Sequence, residues 1–204
     1  MILVALGSNC NGPWGTPRDA VAEALRGDRL NVGVVLVGFT GEEAGLVGSR
    51  AFIEEETLAP ARIRGLFNMD MISRQPDGAI RLDGGPKGKV LTDLLVRLAP
   101  QVPIELKVDT HPDWLMRSDQ GAFLGVGVPA VLFSCEDHED YHQVSDEVSK
   151  IDAGLAAEVA QLVALAAIDM SRQPFTPRAE GGLQKIVITA EPSSPWLSDT
   201  PTRS

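Results

Sequence analysis

Two glutamates in succession, Glu42 and Glu43, follow the apolar run Val34-Val-Leu-Val-Gly-Phe39 and lead into a glycine-punctuated stretch ending at Ser49. Adjacent carboxylates repel, and removing either from water is costly without a partner, so the pair marks a solvated acidic turn or a place for a cation. Taken alone, the turn is the simpler reading. Further downstream, Asp70 is set inside Leu66-Phe-Asn-Met-Asp-Met-Ile72, where capping of a backbone amide or pairing with Arg is the ordinary role. A third polar segment, Cys135-Glu-Asp-His-Glu-Asp-Tyr-His-Gln143, holds two of the chain's three histidines. Within it, His142 offers an imidazole ligand beside the phenol of Tyr141. His138 is its competitor, and spacing does not choose between them.

These groups need elements to position them. The nearly unbroken apolar residues over 32–39 predict a strand buried on both faces, as in the middle of a parallel sheet. Met1–Leu6 reads as a strand rather than a targeting segment, because it is short and no basic residue precedes it. A helix from Pro17 to near Gly27, with Ala20, Val21, Ala24 and Leu25 on one face, connects the two in a right-handed parallel crossover. Leu46 to about Thr57 predicts a helix ended by the Pro60 region, Leu66–Ile72 a strand, Ile80–Leu82 a short strand, and 104–108 another. Residues 87–99 predict a helix burying Val90, Leu91, Leu94, Leu95 and Leu98. A core strand occupies 129–133, and Ser118 or Asp119 suits the start of a helix before it. Ile151–Met170 is the clearest helix, capped by Asp152, with Leu155, Val159, Leu162, Val163 and Ile168 inward. In open α/β sheets ligands bind beyond the carboxyl ends of strands, so Glu42, Glu43 and residues 134–143 face one crevice.

The 204 residues, 44% hydrophobic, suit one α/β domain with a sizeable core rather than two. A net charge of −10 without a Lys/Arg cluster argues against nucleic acid and against anionic membrane surfaces. No span is expected to reach the ~20 apolar residues that crossing a membrane takes. Cys10 and Cys135 are too few for a disulfide framework. Residues 1–170 are expected to form the domain. Residues 171–204, rich in Pro, Ser and Thr with one candidate strand at Ile186–Thr189, read as a tail or the stub of a further module.

In this order, Phe39-Thr-Gly-Glu-Glu-Ala-Gly-Leu-Val-Gly-Ser-Arg-Ala-Phe52, Asn68-Met-Asp-Met-Ile72, Arg117-Ser-Asp-Gln120 with Gly127-Val-Pro-Ala130, and Asp140-Tyr-His-Gln-Val-Ser-Asp-Glu-Val-Ser-Lys-Ile-Asp152 resemble the co-catalytic zinc aminopeptidases. Glutaminyl cyclases and glutamate carboxypeptidases are the more distant relatives of that family. The resemblance implies a three-layer α/β fold of the phosphorylase/hydrolase-like type, with a mostly parallel central sheet and helices on both faces. It implies Glu42 as the general base for the attacking water, and Tyr141 as hydrogen-bond donor to the oxyanion. Glu43, Asp70 and His142 are implied as zinc ligands, and the amino ends of peptides or proteins as substrates. Relatives of full length are often secreted or periplasmic.

Two metals in the family are normally held by five protein ligands, including an upstream histidine and a bridging aspartate. Here no His, Asp or Glu precedes Asp19, and the bridging position falls near Cys10 or Asn11. An amide oxygen does not bridge two cations as a carboxylate does. The expectation is therefore a chain lacking the front part of the domain, with at most one zinc, impaired exopeptidase activity, and apolar sheet exposed for self-association. Gln120 stands where relatives often carry His. The alternatives are a non-catalytic peptidase-like binding module and a single-zinc glutaminyl cyclase.

Overall fold

The structure, a computed structural model, describes residues 1–6, 30, 32–56, 58–74 and 77–173. The expected helix over 17–27, the glycine-bounded loop with Cys10 and Asn11, and the segment beyond 173 lie outside the described residues.

Six strands form one sheet: β1 (Ile2–Leu6), β2 (Val34–Val37), β3 (Gly65–Met69), β4 (Ile80–Asp83), β5 (Leu106–Val108) and β6 (Ala130–Ser134), in the order β2-β1-β3-β6-β4-β5. All neighbouring pairs run parallel except β4 with β6. Among the described residues the α-helices are α1 (Val47–Glu54), α2 (Gly85–Leu98), α3 (Gln120–Gly125) and α4 (Ala153–Arg172). This is the expected α/β arrangement of three layers. On one face, α2 and α4 bury Leu91, Leu95, Leu162 and Ala166 against Phe67, Phe133, Ile80 and Leu82. On the other, Phe123 and Leu124 of α3 pack with Leu66, Ala130 and Phe52 of α1. Leu66 and Phe67 thus feed opposite cores, as the two-residue period of a strand requires.

Central strands β3 and β6 are buried at every position. The two-faced burial expected of residues 32–39 is not found in β2. Its four residues are only partly buried, and among the described strands it lies at the edge, paired with β1 alone. An apolar run announces a strand but not its place in the sheet, because place depends on which partners arrive on each side. The run is also shorter than expected, since Gly38 onward leaves the sheet for the glutamate-bearing turn.

The α2 stripe was expected to include Val90, but that side chain is 63% exposed, and Gly88 and Thr92 take the inward positions instead. Gly88 is required there: a Cβ on it would lie 2.1 Å from the Ala130 carbonyl oxygen, so α2 rests nearly backbone on backbone against β6. In α4, Asp152 caps as expected, its carboxylate accepting from the Leu155 N–H at 3.0 Å, while Ile168 is only partly buried. Contrary to the expectation for membrane spans, α4 is, at 20 residues and mean hydropathy 1.5, long and apolar enough by composition to cross a membrane. Its Leu162, Val163, Ala166 and Ala167 are fully buried against the sheet.

Candidate active site

Glu42 and Glu43 sit in a tight turn between β2 and α1. The N–H groups of Gly45 and Leu46 donate to the Glu42 carbonyl at 3.0 and 2.9 Å, and the Gly48 N–H donates to the Thr40 carbonyl at 2.8 Å. The turn folds so closely on itself that a Cβ at Gly48 would stand 2.7 Å from both the nitrogen and the oxygen of Thr40. Nothing but glycine fits without displacing the acidic pair. Ser49, buried at the base of α1, bonds the Leu46 carbonyl and the Asp119 carboxylate.

Asp70 leaves the carboxyl end of β3, its N–H bonded to the Phe133 carbonyl of β6 at 3.1 Å. A buried relay fixes its side chain. Asn68 donates through its amide nitrogen to Ser118 Oγ at 2.9 Å and to Gln120 Oε1 at 2.8 Å, and the Ser118 hydroxyl passes a hydrogen bond to Asp70 Oδ2 at 2.7 Å. Gln120 in turn donates to the Trp114 carbonyl at 2.9 Å. Gln120 is therefore a fully buried strut. Asp119 is 1% exposed, and its Oδ1 has no hydrogen-bond partner among the described residues.

The segment after β6 brings His142 to the same place. Its Nε2 lies 2.9 Å from Glu43 Oε1, and the Tyr141 ring stacks on the imidazole with centroids 3.9 Å apart. His138 turns instead to the far side of Tyr141, its ring edge-on at 6.5 Å. The 142 backbone is left-handed, with φ of 55°, and it is His142 rather than His138 that meets Glu43.

The electrostatics follow from this crowding. Glu42 is pushed up to about 7, first by burial and then by the negative charge of Asp70, Glu43 and Asp119, with Arg117 opposing. Asp70 is raised by its own burial, which the Ser118 hydrogen bond offsets, then by Glu43, while His142 lowers it. The Tyr141 phenol is also raised, chiefly by burial, then by Asp137, with smaller contributions from Glu43 and Glu42. All five expected residues, Glu42, Glu43, Asp70, Tyr141 and His142, thus share one crevice at the carboxyl ends of β2, β3 and β6.

A half-buried carboxylate that takes up a proton near neutrality is suited to general-base chemistry. Glu43 and His142 present oxygen and nitrogen donors of the kind zinc accepts. At 2.9 Å the two are in direct contact with one another. Among the described residues, however, no three His, Cys, Asp or Glu side chains lie close enough together to hold a metal ion. Among the described residues, Glu43 and His142 are the two donors in direct contact, with Asp70 nearby. Asn68, Ser118 and Asp119 lie in segments that carry the family resemblance, but their hydrogen-bonded roles beside Asp70 were not legible from the sequence.

A sequence profile of peptidase family M28 matches residues 20–167. No curated protein sequence matches the chain. Among solved structures, the zinc aminopeptidase BSAP from Bacillus subtilis superposes with a TM-score of 0.69 at 18% identity, over 83% of this chain and 46% of that one. The aminopeptidase from Aneurinibacillus sp. strain AM-1 gives 0.65 at 21% identity, over 87% and 45%. The glutaminyl cyclase from Fimbriiglobus ruber gives 0.61 at 21% identity, over 83% and 71%. The chain spans about half the length of the aminopeptidases it matches. At these identities the likeness is one of fold.

Proposed function

Given that this chain belongs to peptidase family M28, we propose that it is a zinc-dependent exopeptidase of the aminopeptidase type, acting on the amino ends of peptides or proteins. The observation that carries this reading is the contact of His142 with Glu43 on the turn that also holds Glu42, a carboxylate lifted to about 7. Glu43 and His142 would hold the ion, with the Asp70 carboxylate near them. Zinc, when bound, supplies a Lewis acid that polarises the scissile carbonyl. Glu42 takes a proton from the attacking water and hands it to the departing amine. Its lifted affinity for protons suits both halves of that task near neutral pH. Tyr141, kept protonated by its surroundings, donates a hydrogen bond to the oxygen on which negative charge develops. Asp70, held by the Asn68–Ser118 relay, keeps its orientation without rearranging.

With two close donors rather than three, the described site supports a single, weakly held zinc and slow turnover. The same observation favours a second reading, a peptidase-like module that binds chain termini without cutting them. Zinc titration followed by release of leucine from a chromogenic leucyl substrate separates the two. Hydrolysis that needs zinc and is lost in Glu42→Gln supports the peptidase; terminal-peptide binding with no hydrolysis at saturating zinc supports the module.

A further inference from the structure

Residues 135–152 carry Tyr141 and His142, yet the only regular structure within them is a single turn of 3-10 helix at Val148–Lys150. The imidazole itself is a poor anchor, since its side chain is 54% exposed and its backbone is in the left-handed region uncommon for a residue other than glycine. What holds the segment lies two residues earlier. Beyond Cys135, Asp140 is the one buried residue of the segment, with its side chain 5% exposed, and each of its oxygens meets its own cation: Lys150 Nζ at 2.5 Å from Oδ1 and Arg74 Nη2 at 2.6 Å from Oδ2. The other nitrogen of the Arg74 fork reaches Asp146, so one guanidinium ties two points of the loop.

The clamp is continuous with the strand that supplies Asp70. The Cys135 N–H donates to the Met71 carbonyl at 2.9 Å, and the Asp152 N–H to the Ser73 carbonyl at 2.7 Å, so both ends of the segment are stitched to the chain just beyond β3. Arg74 is the next residue, and it pins the middle. The distance from Asp70 to the His142 turn is therefore set by ion pairs lying away from the crevice.

From this geometry we propose that Arg74 and Lys150, acting through Asp140, are positioning residues that hold Tyr141 and His142 over the Glu42–Glu43 turn. The assignment of a task to that turn rests on the peptidase reading; the clamp does not. A fork that grips two carboxylates cannot be replaced by a neutral amide, whereas a lysine keeps one of the two ion pairs. A buried carboxylate deprived of one cation also draws water inward, and opening the loop is the easiest way to admit it.

Amide hydrogen exchange on the full chain tests this in wild type, Arg74→Gln, Arg74→Lys and Lys150→Gln. Amides of 138–147 are expected to exchange about tenfold faster in Arg74→Gln and in Lys150→Gln, while those of β3 and α4 keep their rates, and Arg74→Lys recovers most of the protection. Unchanged exchange of 138–147 in Arg74→Gln overturns the proposal. So does an equal rise in β3 and α4, which reports global loosening, or a lysine variant no better than the glutamine one. Zinc titration of the same proteins separates the two claims. A wild type that binds no zinc while Arg74→Gln still loosens the loop refutes the hydrolase reading and leaves the clamp standing.

Discussion

Replacing Glu42 by glutamine removes a charge that the folded chain holds at a cost, so Glu42→Gln is expected to stabilise the metal-stripped protein above neutral pH. The folded state lifts this carboxyl from 4.5 to about 7, mainly by burial and then by the charge of Asp70. Between those values the folded chain binds more protons than the unfolded one, so stability falls as pH rises through the window and the loss is complete above about 7. Taken whole, the lift corresponds to ~3 kcal/mol. Because Glu42 is only partly buried, solvent screening brings this to about 1–2 kcal/mol. Urea denaturation in the presence of a chelator at pH 8 and pH 5 measures it, with slopes compared to confirm that the unfolded states match. The variant gains its advantage at pH 8 and loses most of it at pH 5. An equal gap at both values, or a variant less stable at pH 8, would refute the account of why this carboxylate is suited to act as a base.

Gly48→Ala forces a methyl to within 2.7 Å of the Thr40 backbone, so the acidic turn must shift; a loss of about 1–3 kcal/mol in denaturant and weaker zinc binding are expected together. Asn68→Ala leaves Ser118 and Gln120 without their shared donor in a fully buried position, which is expected to cost about 2 kcal/mol and to lower turnover more than substrate affinity, as read from steady-state kinetics. Zinc at tenfold its dissociation constant adds ~1.4 kcal/mol to the folded state, a rise of about 3 °C in melting temperature by calorimetry. His142→Ala abolishes that rise if the imidazole is a ligand and leaves it intact if it is not.

Much of this architecture could be read from the chain because the signals are local. The runs at Leu66–Met69 and Ala130–Ser134 are central strands, and Asp152 caps the helix whose apolar period follows it. The elements misplaced were those whose environment is set by distant partners. The 34–37 run has the composition of a core strand but lies at the edge among the described strands, and Val90 fits a helical stripe but faces solvent because the close rest of Gly88 on Ala130 turns α2. At the site, Glu42, Glu43, Asp70, Tyr141 and His142 were nominated by the resemblance of their segments to the zinc aminopeptidases, since type and position alone left a solvated turn and a capping aspartate as the simpler readings. The Asn68–Ser118–Gln120 relay and the grip of Arg74 on Asp140 could not be nominated, because a polar side chain in a sequence carries no mark of which buried partner it will find. Which of His138 and His142 would lie against Glu43 was likewise not legible, because it depends on how the loop after β6 folds back.

The direct contact between His142 and Glu43 has a consequence for how the crevice fills. An arriving dication does not meet two vacant donors; it meets a couple already satisfied by one another. On the reading proposed above, uptake would be an exchange, in which the imidazole sheds its carboxylate partner before either group turns toward the newcomer. Loading is then expected to be slower than at a pocket whose donors are braced apart.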